Sequence, residues 1–153
     1  MKKYKLGKIE ANGLRRVIAL RDFSNVKKGE IGGYVESGEN LSHDDLCWVS
    51  GDALVYGNAL VSGNARVYGN ALVSGNAWVY GNARATDLVI NVIVCPYSIT
   101  ITDGHVAIGC ELLRKDHLAE DGKAAIKRHS EIGKNDIAMY KTVVPALLKH
   151  GAK

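Results

Sequence analysis

Residues 47–82 read CWVSGD ALVYGN ALVSGN ARVYGN ALVSGN AWVYGN, six consecutive hexads that share one pattern. The next six residues, ARATDL from residue 83, no longer fit it. A short fixed period indicates stacking of identical units rather than an ordinary globular core. The pattern therefore predicts a β-solenoid.

Within each hexad, four residues have the alternation of a strand and the following Gly-Asn or Gly-Asp pair has the character of a corner. Glycine and asparagine both tolerate the positive φ that a repeated corner needs. The small and β-branched residues are predicted to point inward. They are Ala53, Val55, Ala59, Val61, Ala65, Val67, Ala71, Val73, Ala77 and Val79.

An aliphatic residue followed four positions later by a small one, as in Val55 and Ala59, resembles the hexapeptide-repeat, left-handed parallel β-helix family. The resemblance implies left-handed coils of three hexads each, so that each residue stacks on the one three hexads later. The flanking segments GEIGGYVESGENLSHDD (29–45) and DGHVAIGC (103–110) more narrowly resemble phage and prophage-encoded proteins often labelled putative acyltransferases.

The predicted fold is all-β with a helical tail, a left-handed parallel β-helix of about three coils capped by β-hairpins. Asn12-Gly13 is a strong hairpin signal and predicts Glu10 opposite Arg15 and Leu6 opposite Ala19. The predicted parts are an N-terminal β-hairpin cap (1–28), the β-helix (29–87), a C-terminal β cap with a hairpin (88–110) and the helical tail (111–153). Helices are expected within 118–129 and from residue 135 onward.

Three hexads per coil sort the outward residues onto three faces. Face one carries Trp48, Arg66 and Arg84, a wet surface on which an arginine can lie over the indole and contact an anion. The other faces are apolar outside, because Leu54 stacks on Leu72 and Leu60 on Trp78. Such columns exceed what monomers usually expose, which predicts a homo-oligomer with a trimer favoured. The predicted interface residues are Leu54, Tyr56, Leu60, Leu72, Trp78 and Tyr80.

The acyltransferase label implies a general base and acyl-CoA as the cofactor. His43, beside Asp44 and Asp45, is the candidate base. The hexads, however, run without a loop that could carry a base over a substrate. The sequence therefore favours a chain with no catalytic residue and no cofactor.

The three cysteines form no CxxC pair, and no local set of residues has metal-ligand spacing. Cys47 occupies the inward position that Ala fills in the following hexads, which indicates a buried, unreactive thiol. We expect no metal site.

Charge is unevenly distributed along the chain. Residues 1–34 carry a net charge of +6, residues 35–109 carry −5 and residues 110–153 carry +3, which sum to the overall +4. The basic N-terminal part lacks a recognition-helix pattern, so nucleic-acid binding is not favoured. No apolar run is long enough to span a membrane, and the expected location is the cytoplasm, that of the host if the protein is phage-encoded.

These observations favour a non-catalytic oligomeric scaffold or binding module of phage type. The phage origin that the resemblance implies suggests a host protein as partner, such as a defence component. The alternative is an acyl-CoA-dependent acyltransferase.

Overall fold

The computed structural model describes residues 2–86, 90–94, 97–108, 111–117, 120–122 and 124, with the backbone alone for 90–94, 97 and 98. Most of the secondary-structure elements in these residues are β-strands. The helix predicted from residue 135 lies outside the described residues. Within 118–129, residues 120–122 and 124 are helical.

The N-terminal part forms three antiparallel strands, β1 (Tyr4–Ile9), β2 (Arg15–Ala19) and β3 (Ile31–Val35). The register between β1 and β2 differs from the prediction, since Leu6 lies opposite Val17 and Ile9 opposite Arg15. The Glu10 amide donates to the Leu14 carbonyl and the Gly13 amide to the Glu10 carbonyl, at 2.8 and 2.9 Å. These bonds enclose a three-residue loop with Gly13 at positive φ, instead of the expected two-residue loop.

In the hexads, each unit contributes a strand of only two residues. These strands are β4 (Trp48–Val49), β5 (Leu54–Val55), β6 (Leu60–Val61), β7 (Arg66–Val67), β8 (Leu72–Val73), β9 (Trp78–Val79) and β10 (Arg84–Ala85). They pair in parallel as three ladders, β3-β5-β8, β4-β7-β10 and β6-β9. Leu54 pairs with Leu72 and Leu60 with Trp78, so the predicted stacking over three hexads is confirmed.

The inward residues of the hexads form the core. Every alanine and valine predicted to point inward is at most 1% exposed. The corner glycines have φ between 62° and 67°. They also stack closely, since a Cβ on Gly63 would lie 2.9 Å from the amide nitrogen of Gly81. The corner therefore requires glycine both for its dihedral angle and for its space.

The N-terminal end of this core is closed by buried polar side chains. The Lys3 ammonium, fully buried, donates to the carbonyls of Asp44 and Cys47 at 3.1 and 2.9 Å. The Tyr4 hydroxyl donates to the Leu41 carbonyl at 2.6 Å. A 3₁₀ turn at Gly38–Asn40 places the Asn40 amide where it donates to two carbonyls of the next coil. The Lys3 and Tyr4 contacts satisfy carbonyls that have no preceding coil, and the Asn40 side chain replaces a backbone donor to the coil that follows.

After the hexads, four antiparallel strands form one sheet in the order β11 (Ile90–Val94), β12 (Tyr97–Ile101), β13 (His105–Ile108) and β14 (Glu111–Arg114). The sheet thus extends past the predicted boundary at residue 110, and a 3₁₀ turn follows at Lys115–His117. The Trp78 amide donates to Thr100 Oγ1 at 3.1 Å, and the Asp103 amide to the Arg84 carbonyl at 3.2 Å. The sheet contacts the last coil through these bonds.

Among the described residues, no helix is long and apolar enough to cross a membrane.

Candidate functional site

The face with Arg66 and Arg84 carries an open groove of about 520 Å³. Arg66 lies directly opposite Arg84 in the β7-β10 ladder, as predicted. Tyr68 follows Arg66 by two residues and is 37% exposed. We call this surface the arginine groove, and its lining residues are Ser24, Asn25, Ser50, Arg66, Tyr68 and Arg84.

Arg66 is held by neutral partners from the loop between β2 and β3. Its Nη2 atom donates to Ser24 Oγ at 2.7 Å and to Asn25 Oδ1 at 2.6 Å. Because neither partner is charged, the positive charge of the guanidinium is not neutralised there. The arrangement can therefore present a fixed cation to an anionic ligand.

Trp48 is not part of this surface, and its prediction as an outward anion contact is wrong. The indole is only 1% exposed and meets the Phe23 ring edge-on, with centroids 5.3 Å apart. Trp48 does pair with Arg66 in the backbone ladder, as expected from the repeat. The segment around Phe23 covers the indole, and no local pattern in the hexads signals this long-range contact.

A second candidate surface is aromatic. Trp78 is 42% exposed, and its ring lies 4.7 Å from that of Tyr80 between centroids. The indole Nε1 donates to Ser62 Oγ at 3.0 Å. We call Leu60, Trp78 and Tyr80 the Trp78 surface. It is a rigid aromatic patch of the kind that favours protein contacts.

The remaining predicted interface residues are less accessible than Trp78 and fall in the same burial range as Leu60 and Tyr80. Leu54, Tyr56 and Leu72 are half-buried. The loop between β1 and β2 lies near them, since Asn12 and Leu14 line a groove of about 320 Å³ together with Leu54 and Tyr56. The N-terminal hairpin therefore lies beside this face, and the role of these residues as an interface stays a prediction.

His43 lies at the N-terminal end of the hexads and is half-buried. Its ring stacks on Tyr4 with centroids 4.1 Å apart and an interplanar angle of 20°. Its Nδ1 accepts a hydrogen bond from the Lys3 amide at 3.3 Å. Burial, and then the charges of Lys2 and Lys3, lower the pKa of this imidazole. One ring nitrogen is thus occupied by the backbone, and the neutral form is favoured.

The structure confirms that Cys47 is buried. Its side chain is fully inaccessible, and its Sγ lies 3.1 Å from the Lys3 ammonium. Burial raises the pKa of this thiol, and the nearby Lys3 charge opposes that rise. The described residues contain no group of three or more His, Cys, Asp or Glu side chains that could hold a metal ion.

Sequence reasoning missed Ser24 and Asn25 in the arginine groove and Lys3 in the core. Ser24 and Asn25 lie more than forty residues before Arg66, and only the fold brings them together. Lys3 lies in a stretch of exposed lysines, with nothing to mark it as the buried one. A contact between residues that are far apart in the chain leaves no repeating pattern in the sequence.

Comparison with known proteins supports the repeat architecture. The family model described as YdcK Beta solenoid repeat matches residues 49–63, 55–67 and 65–81. These overlapping segments all lie within the hexads. No curated protein matches the chain significantly. The chain is a β-solenoid repeat protein.

Proposed function

We propose that this β-solenoid repeat protein is a non-catalytic scaffold or binding module that assembles from copies of itself through the Trp78 surface. A trimer is the favoured state. The proposal includes a left-handed winding of about three coils, with β-hairpins at both ends. It also includes a phage-type origin, a host protein such as a defence component as the further partner, and the host cytoplasm as the location.

The Trp78 surface is the observation that carries this proposal. Trp78 is 42% exposed although it stands in the same ladder as half-buried Leu60. Its indole is held by Ser62 and lies against Tyr80. A fixed aromatic side chain loses little conformational entropy on association. Most of the favourable free energy of burying its apolar surface therefore remains available for binding.

The surroundings of His43 support the non-catalytic part of the proposal. The ring is stacked on Tyr4, and its Nδ1 is bonded to the backbone. A general base must be able to reach the proton that it abstracts, either directly or through one water. The residues around His43 serve to pack it against the N-terminal strand, which is a structural role.

Light scattering tests the assembly. We expect a mass that is a multiple of 16.5 kDa at tens of micromolar protein, with a trimer favoured. Trp78→Glu should lower the measured mass toward that of a single chain, because the substitution places a charge in the apolar contact. Leu46→Glu is the matched control, since Leu46 is also 42% exposed but lies outside the Trp78 surface. A wild-type monomer, or equal effects of both variants, would contradict the proposal.

An activity assay tests the non-catalytic part. We expect no release of CoA from acetyl-CoA with a panel of amine and hydroxyl acceptors. If CoA is released, and His43→Ala abolishes the release while circular dichroism and mass remain unchanged, the chain is an acyltransferase. A base of this kind contributes about 10² to 10⁴ in rate, so its loss would be plain.

A further inference from the structure

We propose that the arginine groove is a binding site for a nucleoside diphosphate, with the diphosphate on Arg66 and Arg84 and the base against Tyr68. All the lining residues belong to one chain. The site therefore does not depend on self-association and goes beyond the proposed function.

The pairing of the two arginines is the first argument. Arg66 and Arg84 are direct partners in a parallel ladder, where neighbouring backbones are about 4.8 Å apart. Like charges in this position destabilise a sheet. None of the other lining residues of the groove is acidic. Among the described residues, no acidic side chain forms an ion pair with either arginine, and a ligand that supplies two adjacent negative groups would explain this pairing.

The orientation of Arg66 is the second argument. Its partners Ser24 and Asn25 form a tight turn in which Phe23 and Val26 exchange backbone hydrogen bonds at 3.1 and 2.9 Å. Ser24 has a φ of 48°, which is uncommon for a residue other than glycine. The turn thus adopts an unfavourable conformation at the point where it holds Arg66. Such strain is typical of positions that orient a functional group.

The size and the lining of the groove indicate the chemistry of the ligand. Its volume of about 520 Å³ suits a small organic molecule. The Arg84 guanidinium can bind phosphate through two parallel hydrogen bonds, which favours phosphate over less highly charged anions. Arg66 has donated both Nη2 hydrogens to Ser24 and Asn25, and it offers single hydrogen bonds from Nε and Nη1. Tyr68 offers an exposed ring on which a base can stack, and Ser50 adds a hydroxyl group.

Among the described residues, the carboxylate of Asp103 lies near this end of the face. The Asp103 amide donates to the Arg84 carbonyl, and the Asp103 carboxylate accepts a hydrogen bond from the Thr86 hydroxyl at 2.7 Å. The carboxylate is therefore bonded to Thr86 and not to an arginine. It should repel a nearby phosphate, so we expect Asp103→Asn to bind a nucleoside diphosphate at least as tightly as the wild type.

Isothermal titration calorimetry with ADP in a low-salt buffer free of divalent cations tests the site. We expect saturable binding to one site per chain. Arg84→Gln should weaken the affinity by about ten- to a hundredfold, because a charge-assisted contact is lost. Arg84→Lys should have an affinity for ADP between those of the wild type and Arg84→Gln, since it keeps the charge without the planar fork. Lys8→Gln, which removes an exposed cation on β1, is the matched control and should change the affinity by less than about twofold.

Further titrations separate the contributions of the diphosphate, the base and the assembly. Pyrophosphate should bind more weakly than ADP, and adenosine should not bind detectably, because the diphosphate carries the contact with the arginines. Tyr68→Ala should lower the affinity for ADP but leave that for pyrophosphate unchanged. Trp78→Glu should bind ADP like the wild type, which keeps this test independent of the assembly.

The proposal is overturned by any of three results. These are no binding of ADP by the folded wild type, equal losses in Arg84→Gln and Lys8→Gln, or binding of a single-stranded oligonucleotide without binding of ADP or pyrophosphate. The last result would assign the groove to a nucleic-acid backbone.

Discussion

The hexads and the N-terminal end of the core satisfy their backbone groups in different ways. In the hexads, amides bond to the carbonyls of the next coil, as when Leu54 donates to Ala71 at 2.8 Å and Leu60 to Ala77 at 2.9 Å. At the N-terminal end, buried side chains are also donors. Lys3, Tyr4 and Asn40 each donate a side-chain hydrogen bond to a backbone carbonyl. The comparison shows that a repeat supplies its own partners only where it has neighbours on both sides.

The largest expected effect is at the junction of the two regions. A Cβ at Gly32 would collide with the Val49 carbonyl, the Val17 side chain and the Trp48 ring. We expect Gly32→Ala to lower the free energy of unfolding by more than about 3 kcal/mol in urea denaturation, because neither backbone nor indole can move away. Gly104→Ala, where no atom lies within 4 Å, is the control and should be nearly neutral. Similar losses in both would show that the junction is not tightly packed.

Asn40 tests the use of side chains at the N-terminal end. It is 1% exposed and its amide donates to the Gly57 and Ala59 carbonyls, both at 2.9 Å. Asn40→Asp puts a carboxylate against two carbonyls, and we expect a loss of about 3 kcal/mol.

The same change in the hexads is the control. Asn58 is exposed and donates to Asn76 Oδ1 at 3.1 Å, so Asn58→Asp should cost less than about 1 kcal/mol. If the two substitutions cost the same, the contrast between the regions is wrong. Urea titrations of both variants at neutral pH make this comparison.

Val67 tests the core of the hexads. It is fully buried, and Val67→Ala should cost roughly 1 to 3 kcal/mol through lost burial and a cavity. Ser74→Ala, at an outward position of the next hexad, should change the free energy of unfolding by less than about 0.5 kcal/mol. Denaturant midpoints that move equally would contradict the observed inward and outward register.

The smallest effect concerns Tyr4. Burial, and then the charge of Cys47, raises the pKa of its hydroxyl to about 12. An unfolded tyrosine titrates near 10, so the unfolded state loses its proton first. The stability linked to Tyr4 is therefore present below pH 10 and is lost as the pH rises from about 10 to about 12.

Tyr4→Phe should cost about 1 kcal/mol at neutral pH, because the Leu41 carbonyl loses its donor. It should also reduce the fall in stability above pH 10, as measured by denaturation at several pH values. Tyr56→Phe, in the hexads, is the control and should change the free energy of unfolding at neutral pH by less than about 0.5 kcal/mol. An unchanged slope in Tyr4→Phe would show that this hydroxyl titrates normally.

The sequence predicts the periodic part of the molecule well. The inward alanines and valines and the burial of Cys47 follow from the six-residue period, because the inward positions repeat locally. The ladder pairs follow from the three hexads per coil that the family resemblance implies. The burial of Trp48 and the partners of Arg66 do not follow, since both depend on residues 23–25 folding back over a distant coil. Of the predicted anion site, Arg66 and Arg84 line the groove and Trp48 does not.

The hairpin of β1 and β2 shows a similar limit of prediction from sequence, here between residues that are close in the chain. Asn12-Gly13 predicts a tight turn, and a tight turn is present, but with Gly13 as the third loop residue. Three-residue loops are also common in hairpins, and the pairing of β2 with β3 further constrains the register. The helical tail beyond residue 124 stays a prediction.

The close stacking of the corner glycines divides the hexad into positions that can change and positions that cannot. Corner and inward positions accept almost no other residue, whereas the first outward position already carries Leu, Arg or Trp. A substitution at the first outward position leaves the backbone unchanged. Side chains at this position in successive coils are about 4.8 Å apart along each face. Outward residues can thus be exchanged one at a time while the solenoid backbone that supports them is preserved.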